Sequence, residues 1–213
     1  VGLFDKLDQT PLDVQSVAAE CDFSLRGARS LLVALEAMGV VTCEEGLYGL
    51  SPEAAAYAVH GRSGSLVSLI ELEMDHFLSP TALLEALRKD DSTAYGDADP
   101  WEEHELDPEA AARFTAAMHS VSERPAAGFA EVAPLAGIER LLDVGGGSGA
   151  LCLASASAHP DLSCTVWDLQ VVCDLAEKYA DEAGLAGAGL IGVELEAVLA
   201  RLIQAGAGLD LLA

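Results

Sequence analysis

Four glycines occupy the five positions 145 to 149, inside the stretch RLLDVGGGSGALCLA. Glycine at that density weakens a helix or strand interior, so the segment must turn, using positive φ angles or a close approach of bare backbone. The apolar run before it, Arg140 to Val144, reads as a buried strand, and Gly149 to Ala158 as a helix. Ser163 to Trp167 then reads as a second strand and Val171 to Ala183 as a second helix. Strand and helix alternating at this spacing predict a parallel, doubly wound α/β sheet. The glycines therefore fall at a strand-to-helix turn, where unpaired N–H groups and the positive end of a helix dipole are available to a ligand. A tight turn serving no ligand is the plain alternative.

With 213 residues, 51% of them apolar, the chain can bury one large core or two modest ones. Thirty-five acids against eleven Lys and Arg give a formal charge of -24, which repels phosphate backbones and anionic membrane surfaces and argues against nucleic-acid and membrane partners. The five cysteines, at 21, 43, 152, 164 and 173, are scattered with no CxxC spacing. Such usage predicts a reducing, cytoplasmic setting with neither disulfide framework nor metal site. No apolar run approaches the ~18 uncharged residues of a membrane span, and no signal-peptide pattern opens the chain. Because Val1 already lies inside the pattern VGLFDKL, a native N-terminus is expected further upstream.

The first sixty residues predict a small helical unit. Leu12, Val14, Val17 and Ala18 mark a short helix; Ser24 can cap a second one carrying Leu25, Ala28, Leu31, Leu32, Leu35 and Met38, and Gly39 stops it. VVTCEEGLYGLS then reads as a hairpin turning at Glu44-Glu45-Gly46, with Pro52 ending the unit. Helix, turn, helix, hairpin is the winged-helix order. The expected recognition helix offers only Arg26 and Arg29 in acidic surroundings, so packing or dimerisation is expected of it rather than DNA binding. Ser65 to Arg88 and Pro108 to Ala130 read as connector helices around an Asp-, Gly- and Pro-rich loop, with Asp107 able to cap the second.

Gly145, Gly147 and Ala150 satisfy the loose dinucleotide form G-x-G-x-x-G/A, and Asp168 at the end of the second strand is placed to grip ribose hydroxyls. Asp143, two residues before the first glycine, and the helical region preceding the strand favour a different nucleotide-like guest. LLDVGGGSGAL, HPDLSCTVWDLQVV, FTAAMHSVSERPA and LLVALEAMGVVTCEEGLYGLSPEA, four separate segments that fall in the right order along the chain, together resemble the small-molecule O-methyltransferases that use S-adenosylmethionine, the group holding plant caffeate-type and acetylserotonin-type enzymes and their bacterial relatives. The resemblance runs from about Val1 to Gly187. It implies an N-terminal winged-helix dimerisation domain (1–60), a helical connector (61–130), and a partial Rossmann-like cofactor domain (131–213) in a homodimer.

Carried over by position, the resemblance sets Gly145, Gly146 and Gly147 against the methionine part of the cofactor and Asp168 on both ribose hydroxyls. Asp143 lies near the amino group and Leu169 against the adenine or in the core. Phe114, Met118 and Ser122 recur every four residues, as a pocket wall or as an ordinary helix-packing stripe. On the resemblance Met118 touches the acceptor and Ser122 the cofactor; Trp101 is either pocket wall or packing anchor. The family's base is a His beyond a fourth strand, whose opening GLDLLA resembles, and the sequence ends there, leaving the catalytic base unknown. His60, His76, His104, His119 and His159 are expected to be exposed or capping, with His119 nearest the pocket stripe. Ile191, Leu195, Val198 and Leu202 follow helical spacing, which predicts a helix where the family has a third strand and leaves a sheet of two strands.

The leading expectation is transfer of a methyl group from S-adenosylmethionine to a hydroxyl of a small aromatic acceptor. A non-catalytic methyltransferase-like subunit acting through assembly, and an NAD-dependent oxidoreductase, are the alternatives.

Overall fold

A computed structural model describes residues 2–76, 80–90, 105–185 and 191–194, with backbone alone for 75, 76 and 191–194. The chain divides into two compact units, Val1–Ser68 and Leu69–Ala213.

In the first unit, α1 (Leu3–Gln9), α2 (Val14–Glu20) and α3 (Leu25–Ala37) precede a hairpin of β1 (Val41–Glu44) and β2 (Leu47–Leu50), and α4 (Pro52–Tyr57) follows. Capping is local. The side chains of Asp13, Ser24 and Ser51 each accept a backbone N–H three residues on, from Ser16 (2.7 Å), Gly27 (3.1 Å) and Ala54 (3.2 Å). Gly39, at φ 75°, ends α3 in the left-handed region that a side chain resists. Glu45 and Gly46, at φ 52° and 85°, close the hairpin in two residues with the hand that matches strand twist. Leu3, Leu7, Val17, Ala28, Leu32, Val41 and Tyr48 form one core. Pro52, expected to end the unit, instead opens α4 as its first helical residue, where its missing N–H costs nothing. The sequence reading also passed over α1, whose Leu3 and Leu7 are buried.

The second unit holds most of α5 (Val67–His76), then α6 (Pro80–Lys89), the long α7 (Pro108–Val132), and the series β3 (Arg140–Val144), α8 (Ala150–Ala158), β4 (Ser163–Asp168), α9 (Gln170–Glu182) and β5 (Ile191–Glu194). Asp107 caps α7 by accepting from the N–H groups of Glu109 and Ala110. The sheet is parallel in the order β3-β4-β5. Cys152 and Ala156 of α8, Cys164 and Val166 of β4, Ala176 of α9, Leu135 and Leu162 make its core. Small residues such as Ala111, Ala117, Ala126 and Ala130 are the buried ones on α7, and they let α7 and α8 pack closely.

Two expectations are corrected. The helix expected from Ile191 onward begins as a strand, since Ile191–Glu194 pairs with Thr165–Asp168 and satisfies the backbone along the open edge of β4. Leu195, Val198, Leu202 and the GLDLLA stretch lie outside the described residues. Nor is β3 buried, for Leu142 is 55% and Val144 60% exposed. Its second edge pairs with no strand among the described residues.

Candidate functional site

The strand ends and the glycine turn build one corner of the second unit. The Gly145 N–H donates to the Trp167 carbonyl (2.7 Å), tying the start of the turn to β4, and the Gly149 N–H closes the turn on the Gly146 carbonyl (2.9 Å). Gly145 (φ 67°), Gly147 (φ 56°) and Gly149 (φ 75°) all take the left-handed conformation. Gly146 is glycine for another reason. A Cβ there would sit 2.9 Å from the carboxyl carbon and Oδ2 of Asp143.

Asp168, at the tip of β4, holds the turn from the opposite side. Its Oδ2 accepts the Gly147 N–H (2.9 Å) and its Oδ1 accepts the Leu169 N–H (2.8 Å). Each oxygen keeps a lone pair for a further donor, which suits a vicinal diol. Burial first, then the neighbouring Asp168 charge, raises the Asp143 carboxyl above its ordinary pKa. Two acids crowd one corner. Neither α8 nor α9 has a side-chain cap at its N-terminus, so first-turn N–H groups there keep their positive end toward the cavity.

A cavity of about 950 Å³ opens against this corner. Phe114, Met118, Ser122, Asp143, Gly145, Gly146, Gly147, Asp168 and Leu169 all line it, so the structure gathers these nine residues around one cavity. Trp101 lies outside the described residues. Sequence reasoning missed Val121, Pro125 and Phe129, which extend the stripe of α7, and Trp167, Ser148 and Val172. The stripe residues were within reach of the helical period; the others are supplied by the tertiary fold. The described lining is mostly apolar, and the only titratable side chains in it are Asp143 and Asp168.

The histidine expectation fails at one position. His119 is neither exposed nor capping: its Nδ1 lies 2.7 Å from the Ser148 hydroxyl and its ring stacks on Tyr179 at a centroid distance of 4.1 Å. Burial pushes its pKa down, against the opposing pull of Glu123 and Glu182. His60 pairs with Asp5 at 2.9 Å, and His159 ends α8 with its Nε2 3.4 Å from the Ala130 carbonyl. The side chains of His76 and His104 lie outside the described residues. Among the described residues there is no cluster of three His, Cys, Asp or Glu suited to a metal ion, and no helix long and apolar enough to cross a membrane.

The family model for the O-methyltransferase domain matches residues 81–188. A 3-hydroxy-5-methyl-1-naphthoate 3-O-methyltransferase from Streptomyces sahachiroi is 32% identical over 87% of this chain, which spans 54% of that relative. An O-methyltransferase from neocarzinostatin biosynthesis, solved with S-adenosylmethionine and 2-hydroxy-5-methyl naphthoic acid, superposes with a TM-score of 0.65 at 26% identity, covering 90% of this chain and 60% of that one. Human N-acetylserotonin methyltransferase, solved with S-adenosylmethionine, shares the fold at a TM-score of 0.73 and 22% identity, covering 91% of this chain and 58% of that one.

Proposed function

The chain belongs to the O-methyltransferase family, and from that premise we propose that its glycine-turn cavity binds S-adenosylmethionine for methyl transfer to a hydroxyl of a small aromatic acceptor. The observation that carries this reading is charge. Among the described lining residues Asp143 and Asp168 are the only ionisable side chains, with no Lys, Arg or His beside them. A unit charge roughly 5 Å from a carboxylate at an effective dielectric of ~20 gains or loses about 3 kcal/mol according to its sign. A sulfonium with an ammonium group is attracted; a dinucleotide pyrophosphate is repelled. That sign favours the methyl donor over NAD.

In this reading Asp168 receives the ribose hydroxyls on the lone pairs left by Gly147 and Leu169, and Gly145 to Gly147 admit the methionine part because no Cβ intrudes. Asp143 faces the positive charge, Leu169 the adenine, Ser122 the cofactor, and Phe114 and Met118 the acceptor. The cofactor supplies an activated methyl group. This chain's contribution is to bind and orient it in an apolar wall that excludes water. No His stands among the described lining residues to take the hydroxyl proton.

The first unit we read as a winged-helix dimerisation domain. Support comes from the element order and from apolar side chains left in solvent on α3 and at its C-terminal end, where Val33 is 53% and Met38 74% exposed. Light scattering should return twice the chain mass, and Val33→Glu should lower it.

Isothermal titration tests the cofactor assignment. S-adenosylmethionine should bind and NAD should give no heat, while Asp168→Ala should weaken the methyl donor more than 100-fold, about 2.7 kcal/mol. Undiminished affinity in Asp168→Ala would end the assignment.

A further inference from the structure

Ser148 is the one member of the glycine turn with a side chain, and that side chain points away from the role a turn residue ordinarily has. It is buried, at 3% exposure. Its hydroxyl meets His119 Nδ1 at 2.7 Å, across 29 residues of sequence. The imidazole is in turn held by Tyr179 of α9, ring over ring at 4.1 Å with planes 24° apart. Gly147 and Gly149, on either side of Ser148, both have left-handed backbone, the conformation an unrestrained loop populates as one of many. Two side chains thus grip the turn: Asp168 takes the Gly147 N–H from β4, and His119 takes the Ser148 side chain from α7.

His119 is not among the described residues that line the cavity; it reaches that wall through Ser148, which does line it. We propose that His119, braced by Tyr179, is a positioning residue that locks the glycine turn through Ser148 in its cofactor-binding conformation before the cofactor arrives. A turn left free of this hold has to be ordered at the moment of binding, and that ordering cost appears as lost affinity. Neutral imidazole serves either as acceptor of the Ser148 hydroxyl proton or as donor to its oxygen, so the pairing holds in either tautomer. The proposal rests on the cavity being the cofactor site.

The test uses the full-length protein and three substitutions. His119→Phe keeps the ring and its stacking on Tyr179 but loses the hydrogen bond; Ser148→Ala loses it from the other end; His119→Asn restores a polar atom near the position of Nδ1. Amide hydrogen exchange at Gly147 to Gly149 reads the turn itself, without any ligand, and titration with S-adenosylmethionine reads the consequence. His119→Phe and Ser148→Ala should each speed exchange at these amides and weaken binding about ten-fold. The double variant should be no worse than either single one, since both remove the same contact. His119→Asn should recover most of the loss. Unchanged exchange in His119→Phe and Ser148→Ala, additive losses in the double variant, or failure of Asn to rescue would overturn the proposal. Faster exchange in a protein that does not bind the methyl donor even as wild type would leave the latch standing and remove the cofactor reading instead.

Discussion

The two strands β1 and β3 carry comparable apolar residues and meet different fates. Val41 of β1 is 1% exposed, enclosed by α1, α2 and α3, whereas Leu142 and Val144 of β3 stand more than half in solvent. The helices divide in the same way. Three helices of the first unit, α2, α3 and α4, close their own N-termini with Asp13, Ser24 and Ser51, while α8 and α9, which start at the cavity, carry no side-chain cap. Local closure makes a self-sufficient core. Open N–H groups and bare glycine make a place for something else to bind, at the cost of leaving donors unpaired until it does.

Core truncation should separate the units most strongly. Leu32→Ala, at a fully buried position, should cost about 3 kcal/mol in urea denaturation, and Leu142→Ala less than about 0.5 kcal/mol. Equal costs would erase the contrast. Glycine replacement sharpens it by readout instead of by size. Gly39→Ala, strained by its φ of 75° but with open space around it, should lower stability by about 1 kcal/mol and leave cofactor binding alone. Gly146→Ala, pressed against Asp143, should weaken cofactor binding about ten-fold or more. Smaller again is the cap: Ser24→Ala should cost about 1 kcal/mol or less, seen as a lower denaturation midpoint of the first unit.

Acid should produce the smallest difference. The His60 backbone N–H donates to Asp5 Oδ1 at 2.9 Å, the leading reason that the Asp5 carboxyl lies below its ordinary 3.8. Because the folded value is the lower one, the stabilisation is present above the ordinary 3.8 and is lost as pH falls from there through the lowered folded value. Asp5→Asn should flatten that part of the acid limb of the first unit's unfolding curve, recorded by circular dichroism against pH.

Much of the second unit was legible because its signals are local. Alternating strand and helix runs located β3, α8, β4 and α9 within a residue or two, and the glycines with Asp168 located the cavity. The helical stripe gave Phe114, Met118 and Ser122 but stopped short of Pro125 and Phe129 on the same face. What escaped depends on partners far along the chain. Ile191–Glu194 has helical spacing yet pairs as a strand, because a free edge of β4 offers it hydrogen bonds that periodicity does not register. His119 reads as one more surface histidine until Ser148 and Tyr179 fold against it. The burial of β3 was misjudged for the same reason, since an apolar run records a preference and not whether a neighbour covers it.

Asp168 engages both carboxylate oxygens with the Gly147 and Leu169 amides and keeps one further lone pair on each for a ligand. An engineer wishing to retarget this corner to another nucleotide could not exchange that acid in isolation. If Asp168 grips the sugar as proposed, the replacement would have to staple the turn as well as recognise the new sugar, so selectivity and scaffold would need to be redesigned as one unit.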